Sequence, residues 1–308
     1  MKIIKDTTQF NIEEKTAVAI GKFDGVHLGH RKLLENIVQA KKSGLKAAVF
    51  TFTPSPGAFF SGSPIQEITT KEEKRTIFEK IGVDYLVEYP FGKEAAGILP
   101  EDFVKDILLK KMSAKVVVAG EDLSFGYKGM GNAALLEKIS GEEGFATKII
   151  PKICYEDKVI SSTYVRDIIK EGNMELVSTL MGEPYFIEGL VKTGNQIGRT
   201  IGMPTVNLIP HKDKLLPPKG VYFSTVEFAG ITYKGVTNIG KKPTVSDDNP
   251  IGVETYIYDF SKMIYGESIR VNLYHFKRPE QKFSNLEELK KAIAENIAQG
   301  EEYFRKKW

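Results

Sequence analysis

The chain has 308 residues, 42% hydrophobic and 27% charged, a composition that excludes a disordered, collagen-like or membrane-embedded protein and leaves room for about two domains. Lys and Arg number 43 against 40 Asp and Glu, so the net charge of +3 is too small for a surface that coats nucleic acid, and any anion must be met locally. Cys154 is the only cysteine, which rules out an internal disulfide and fits a reducing cytoplasm, and no apolar run suggests an export signal or a membrane span.

In the first half, apolar runs at Thr16 to Ile20, Lys46 to Phe52, Tyr85 to Tyr89 and Lys115 to Ala119 read as strands buried on both faces. Helical periodicity predicts helices at Arg31 to Lys42, Lys71 to Ile81 and Glu101 to Lys111 between them, the second opened by a Thr70/Glu73 capping box. Strands alternating with helices predict a Rossmann-like domain around a parallel sheet.

Past Gly182 and Pro184 the pattern changes to short β-rich runs: Tyr185 to Val191, Val221 to Phe228, Thr232 to Thr237, Val253 to Tyr258 and Ile269 to Phe276. These predict a small antiparallel barrel, with an amphipathic helix over Leu286 to Phe304, capped by Ser284 or Asn285, packed upon it. The expected division is therefore 1–183 and 184–308.

Between the first strand and the first helix lies Gly21-Lys22-Phe23-Asp24-Gly25-Val26-His27-Leu28-Gly29-His30. Glycines at 21, 25 and 29 let backbone approach a ligand, and a helix N-terminus beyond a parallel strand is a phosphate site. His27 and His30, three apart, can donate together to phosphate oxygens. The alternatives are a plain glycine-rich turn and a metal pair, although a zinc site would need a third ligand that His211 and His275 do not supply in any recognisable spacing. A second anion-binding string, Ser161-Ser162-Thr163-Tyr164-Val165-Arg166, places hydroxyls and a guanidinium at another helix start, where simple capping is the alternative.

In the second half, Gly194 to Asn207 reads as a loop entering a strand, with Pro204 fixing the backbone so that Thr205 and Asn207 point to one side. Both could offer oxygen to Mg²⁺ beside a nucleotide, or simply form a polar strand edge. Gly235 to Lys241 imitates the start of a P-loop, but Lys242 stands where Ser or Thr is required, and the segment reads instead as a barrel loop leading into Pro243.

The Gly21–His30 and Ser161–Arg166 strings together resemble the nucleotidyltransferase domain of bacterial FAD synthetases, as do the loops Thr51 to Pro56 and Gly120 to Gly126. The Gly198, Arg199 and Pro204-Thr205-Val206-Asn207 string, with Glu254 and Asp259 to Gly266 in order, is similar to the riboflavin kinases. The resemblance implies that riboflavin is phosphorylated to FMN by the C-terminal domain and FMN adenylylated to FAD by the N-terminal one, both with ATP and Mg²⁺. It assigns nucleotide binding to Gly21, Phe23, Asp24, Gly25, Gly29, Ser161, Ser162, Thr163, Gly198 and Arg199, and flavin binding to Phe52, Asp122 and Phe125. His27, His30 and Arg166 would stabilise charge, Glu254 would be the kinase base, and Thr205 and Asn207 would hold the metal. The chain departs from the family at Leu123 and Ser124, where an aromatic-Arg pair is frequent, and at Lys22, where Asn is frequent. A single live activity, or a flavin-sensing or RNA-binding regulator, would be the other readings; the near-neutral charge and two complete catalytic sets speak against the regulator.

Overall fold

The parallel sheet of the first half has six strands rather than four. A computed structural model describes residues 1–62, 65–193, 202–241 and 251–307, which fall into two compact units, Met1–Ser162 and Thr163–Trp308. In the first unit β1 (Lys2–Lys5), β2 (Thr16–Ile20), β3 (Lys46–Thr53), β4 (Tyr85–Pro90), β5 (Ala114–Gly120) and β6 (Ala146–Ile150) lie side by side in the order β1-β4-β3-β2-β5-β6. Every neighbouring pair is parallel. All five residues of β2 are buried, as expected for a central strand covered on both faces.

The chain runs outward from β2 to β3 and β4 on one side and to β5 and β6 on the other. The direction therefore reverses between β2 and β5, and the crevice beyond their C-terminal ends is where such a sheet binds ligands. Helix α1 (Leu28–Gln39) starts three residues earlier than the apolar periodicity predicted and gives way to a 3₁₀ turn over Ala40–Ser43. Helix α2 (Pro56–Ser61) is short. Helix α3 (Lys71–Ile81) has the predicted bounds, with both bonds of the Thr70/Glu73 capping box formed. After α4 (Lys93–Ala96), α5 (Pro100–Asp102) continues as a π-helix over Phe103–Lys111, and α6 (Ala133–Glu143) precedes β6. Phe50, Val87, Phe103 and Val117 belong to the core on one face of this sheet. A two-stranded hairpin, β7 (Cys154–Tyr155) and β8 (Lys158–Val159), completes the unit and carries the exposed Cys154.

Helix α7 begins at Ser162 and runs to Glu171, so its remaining residues belong to the second unit, as does α8 (Met174–Met181). Here β9 (Tyr185–Lys192), β10 (Thr205–Leu208), β11 (Gly220–Phe228), β12 (Ile231–Lys241), β13 (Ile251–Ile257) and β14 (Ser268–Pro279) close an antiparallel barrel in the order β10-β13-β12-β11-β14-β9. Inside it, the hydroxyls of Ser224, Thr237 and Thr255 are fully buried and hydrogen-bonded in series, 2.8 Å per step. Helix α9 (Leu286–Lys307), whose start Asn285 caps through Glu288 N, covers an outer patch of Val221, Phe223, Val236 and Tyr258 with Phe304. Tyr258 donates to the carbonyl of Ile297 on that helix at 2.8 Å.

The expected barrel loop at Gly235 to Lys241 is instead the second half of β12, paired with Ile251–Ile257. Its Gly235 serves a close strand contact, because an added Cβ would meet the Tyr256 carbonyl oxygen at 2.6 Å. No phosphate loop is formed by this stretch. Lys242 and Pro243 lie outside the described residues.

Candidate functional site

The loop leaving β2 is built from backbone that most residues avoid. Phe23 (φ +52°), Gly25 (φ +87°) and Val26 (φ +42°) are all in left-handed conformation. Each such non-glycine residue costs about 1–3 kcal/mol, so the loop must be held from outside. Three hydrogen bonds do this: Ile68 N donates to Asp24 Oδ1 at 2.9 Å, Gly25 N to Thr69 Oγ1 at 3.1 Å, and Ser162 Oγ to the Asp24 carbonyl at 2.8 Å. Asp24 and Phe23 are thus placed as supports: the carboxylate is buried against the Ile68 segment, and the Phe23 ring is packed on Phe78. Sequence alone gave no signal for Thr69, which lies 44 residues from its partner.

His27 ends this loop as the N-cap of α1, and no side chain caps the helix. Its first amide groups are therefore open to an anion. The rings of His27 and His30 stack with centroids 3.8 Å apart and planes 27° from parallel. An added Cβ at Gly29 would sit 3.2 Å from the His27 ring, so glycine is what lets that ring fold against the helix start. Nδ1 of both histidines is buried without a hydrogen-bond partner. Burial pushes His27 down to about 4, against the pull of Asp24 and Asp122. Burial, with the positive charge of neighbouring groups, also pushes His30 well below its ordinary value. Both rings are neutral at pH 7, each with one N–H to donate.

Next to this loop, across the C-terminal ends of β2 to β5, lies a cavity of about 740 Å³. Its walls are aromatic: Phe50, Phe52, Phe59, Phe91, Phe103 and Phe125 line it, with Phe60 at 71% exposure. Phe50 packs edge-on against Phe52 and Phe103, and Phe103 leans on Phe125. Lys22, Lys93 and Lys128 also line it, without any carboxylate among the described lining residues. The predicted flavin residues Phe52 and Phe125 are brought together there. Asp122 stands outside the lining, exposed, with Lys152 Nζ 4.0 Å from its carboxylate. Leu123 and Ser124 line the cavity too, and Ser124 Oγ donates to the Gly129 carbonyl at 3.2 Å.

Of the second anion-binding string, Ser161 and Ser162 belong to the first unit, and Ser162 reaches the Asp24 loop as described. Thr163 and Arg166 belong to the second unit, Thr163 exposed and Arg166 half-buried on α7.

On the barrel, Asn207, Glu254 and Asn238 stand directly opposite one another on β10, β13 and β12, so all three project from one face. Asn207 is buried and its Oδ1 has no hydrogen-bond partner. Glu254 is half-buried. Thr205, two residues before Asn207, lines a cavity of about 290 Å³ together with Pro204, Phe260 and Tyr265. Gly198 and Arg199 lie outside the described residues.

Residues 9–164 match the family model for FAD synthetase, and residues 181–304 match that for riboflavin kinase. The bifunctional riboflavin kinase/FMN adenylyltransferase of Bacillus subtilis is 35% identical over 95% of this chain and 93% of its own. That of Escherichia coli K12 is 36% identical over 95% and 94%. The chain belongs to this bifunctional family. Members phosphorylate riboflavin to FMN and adenylylate FMN to FAD, and the two domains occur here in the family's order. A crystal structure from Streptococcus pneumoniae, described as a macrolide-efflux protein, overlays with a TM-score of 0.82 at 31% identity, covering 96% of this chain and 98% of that one. No helix among the described residues is long and apolar enough to cross a membrane. The parallel sheet and the closed barrel are the two folds expected of a FAD synthetase of this kind.

Proposed function

We propose that the Gly21–His30 loop and its aromatic cavity carry the adenylylation of FMN, and that the Asn207–Glu254 face of the barrel carries the phosphorylation of riboflavin, each with ATP. The observation that supports this assignment is where buried polar atoms lack partners. Among the described residues these are His27 Nδ1, His30 Nδ1, Asn207 Oδ1 and Ser178 Oγ. Three of the four fall in segments suited to phosphate or metal, and a buried polar atom without a partner is otherwise a cost to the fold.

In the first site the flavin ring fills the apolar cavity. A phosphate oxygen of FMN attacks the α-phosphorus of ATP, the new O–P bond forms, and pyrophosphate departs with the electron pair of the broken bond. The histidine N–H groups and the open amides of α1 donate to phosphate oxygens as negative charge accumulates. A phosphate is already a nucleophile at pH 7, so no activated side chain is required. Arg166 as a further charge stabiliser rests on the resemblance of its string alone.

In the second site Glu254 takes the proton of the riboflavin 5′-hydroxyl as that oxygen bonds to the γ-phosphorus of ATP, and ADP departs with the electron pair of the broken γ-phosphorus–oxygen bond. Mg²⁺ fits here because it takes oxygen ligands and Asn207 presents a buried, unpartnered one, with the Thr205 hydroxyl on the same side. When bound, it would neutralise phosphate charge. The 290 Å³ cavity beside Thr205 is the place for ATP. We assign 1–183 to the adenylyltransferase and 184–308 to the kinase, since the family matches end at 164 and resume at 181 and β9 opens the barrel at Tyr185. Small-molecule substrates and one exposed cysteine agree with a cytoplasmic setting, with no role for nucleic acid or membrane.

The test supplies ATP and Mg²⁺ with riboflavin in one tube and FMN in another, then separates the flavins. FAD in both tubes is expected. With Glu254→Gln, FAD should form only from FMN; with His30→Ala, riboflavin should stop at FMN. Loss of both steps in a folded Glu254→Gln protein would overturn the assignment.

A further inference from the structure

The cavity and the phosphate-binding loop share one stretch of chain. Ile20, Gly21 and Lys22 form the wall where β2 ends, and five residues later the same loop delivers His27. An FMN molecule whose ring lies among the phenylalanines must send its phosphate across this seam to reach the nucleotide. Three lysines line the cavity, but Lys93 follows β4 and Lys128 follows β5, whereas Lys22 alone belongs to the loop that carries the histidines. Lys22 also lies close enough to His30 for its charge to be felt there. It is exposed and makes no hydrogen bond or ion pair with any described residue, so its ammonium group is available to a ligand.

Resting on the reading of this cavity as the flavin site, we propose that Lys22 is the residue that recognises FMN by its 5′-phosphate and so distinguishes it from unphosphorylated flavins. The chemistry demands a cation at this seam. The attacking phosphate and the triphosphate are both anionic, and bringing them together requires opposite charge between them. Neutral His27 and His30 supply donors without charge. The FMN phosphate oxygen bonds to the α-phosphorus, the bond to the departing pyrophosphate breaks, and the Lys22 side chain holds the attacking group in place. Lysine suits the task because it carries three donors on a flexible stem and binds phosphate as a point charge.

The experiment measures FMN-to-FAD kinetics in the full-length enzyme, with lumiflavin, which has the ring but no phosphate and no hydroxyl to phosphorylate, as competitor against FMN. Lys22→Gln is expected to raise KM for FMN about 10- to 100-fold, the range for losing a hydrogen bond to a charged group, while the inhibition constant of lumiflavin stays unchanged. Lys22→Arg should recover most of the loss. An unchanged KM for FMN in Lys22→Gln, or a matching rise in the lumiflavin constant, would overturn the proposal. Ser124→Trp, which fills the cavity from an exposed wall position, separates the two readings. If it leaves both FMN and lumiflavin unaffected, the cavity is not the flavin site; if it weakens both while Lys22→Gln changes nothing, only the role of Lys22 fails.

Discussion

The hydroxyl of Ser162 donates a 2.8 Å hydrogen bond to the backbone carbonyl of Asp24, joining two motifs that lie 138 residues apart in the chain. The serine is therefore a brace for the strained loop, whatever it contributes to a nucleotide. Ser162→Ala should lower the stability of the first unit by about 1 kcal/mol and reduce FMN-to-FAD turnover, while riboflavin phosphorylation is unchanged. Urea unfolding and separate assays of the two steps check this.

His27 and His30 make stability depend on pH. Both are harder to protonate in the folded protein than in the unfolded chain, His27 titrating at about 4 against an ordinary value of 6.5. As pH falls from 6.5 the unfolded chain takes up protons that the folded one refuses, so stability declines through the window down to about pH 4 and is complete above it. The unfolding midpoint of the wild type should drop across pH 6.5 to 4. In His30→Gln, with one of the two groups removed, the same slope should be shallower.

Gly25 is held at φ +87°, and an added Cβ would meet the Ile68 side chain at 3.0 Å. Gly25→Ala should destabilise the first unit by about 1–3 kcal/mol and abolish adenylylation, because the loop cannot keep its conformation with the extra atom. Thermal unfolding and FAD formation from FMN measure the two effects.

Asn207 holds a buried oxygen without a partner. Asn207→Leu, nearly the same size, removes that unsatisfied acceptor and should leave the melting temperature equal or higher. Kinase activity should fall by about 100-fold, the scale of losing a contact to a charged group. A parallel loss of stability and activity would mean that Asn207 is structural.

Much of this was legible from sequence wherever local chemistry decides the outcome. Helix α3 begins and ends as its capping box and periodicity indicate, and β2 has its predicted bounds. Strands β1 and β6 carry no such signal because each lies at an edge of the sheet, partly exposed, where the apolar run that marks a buried strand is absent. The helix after β2 starts early because Leu28, Gly29 and His30 look like loop residues, and only the backbone shows His27 as its cap. The pairing of Asp24 with Ile68, Gly25 with Thr69 and Ser162 with Asp24 depends on contacts across the fold, and spacing along the chain cannot reveal it.

The three linked hydroxyls within the barrel have a bearing on the face proposed for the kinase step. Side chains alternate across a strand, so Thr255 pointing inward obliges its neighbour Glu254 to point outward. A slip of β13 by one residue would set Glu254 or Tyr256 opposite Thr237 in place of Thr255 and turn the carboxylate toward the barrel interior, where a charge without water is heavily penalised. The ladder thus acts as a spelling check on strand pairing: a misaligned barrel breaks its own hydroxyl series and buries a carboxylate, and an aligned one has already aimed Glu254 outward.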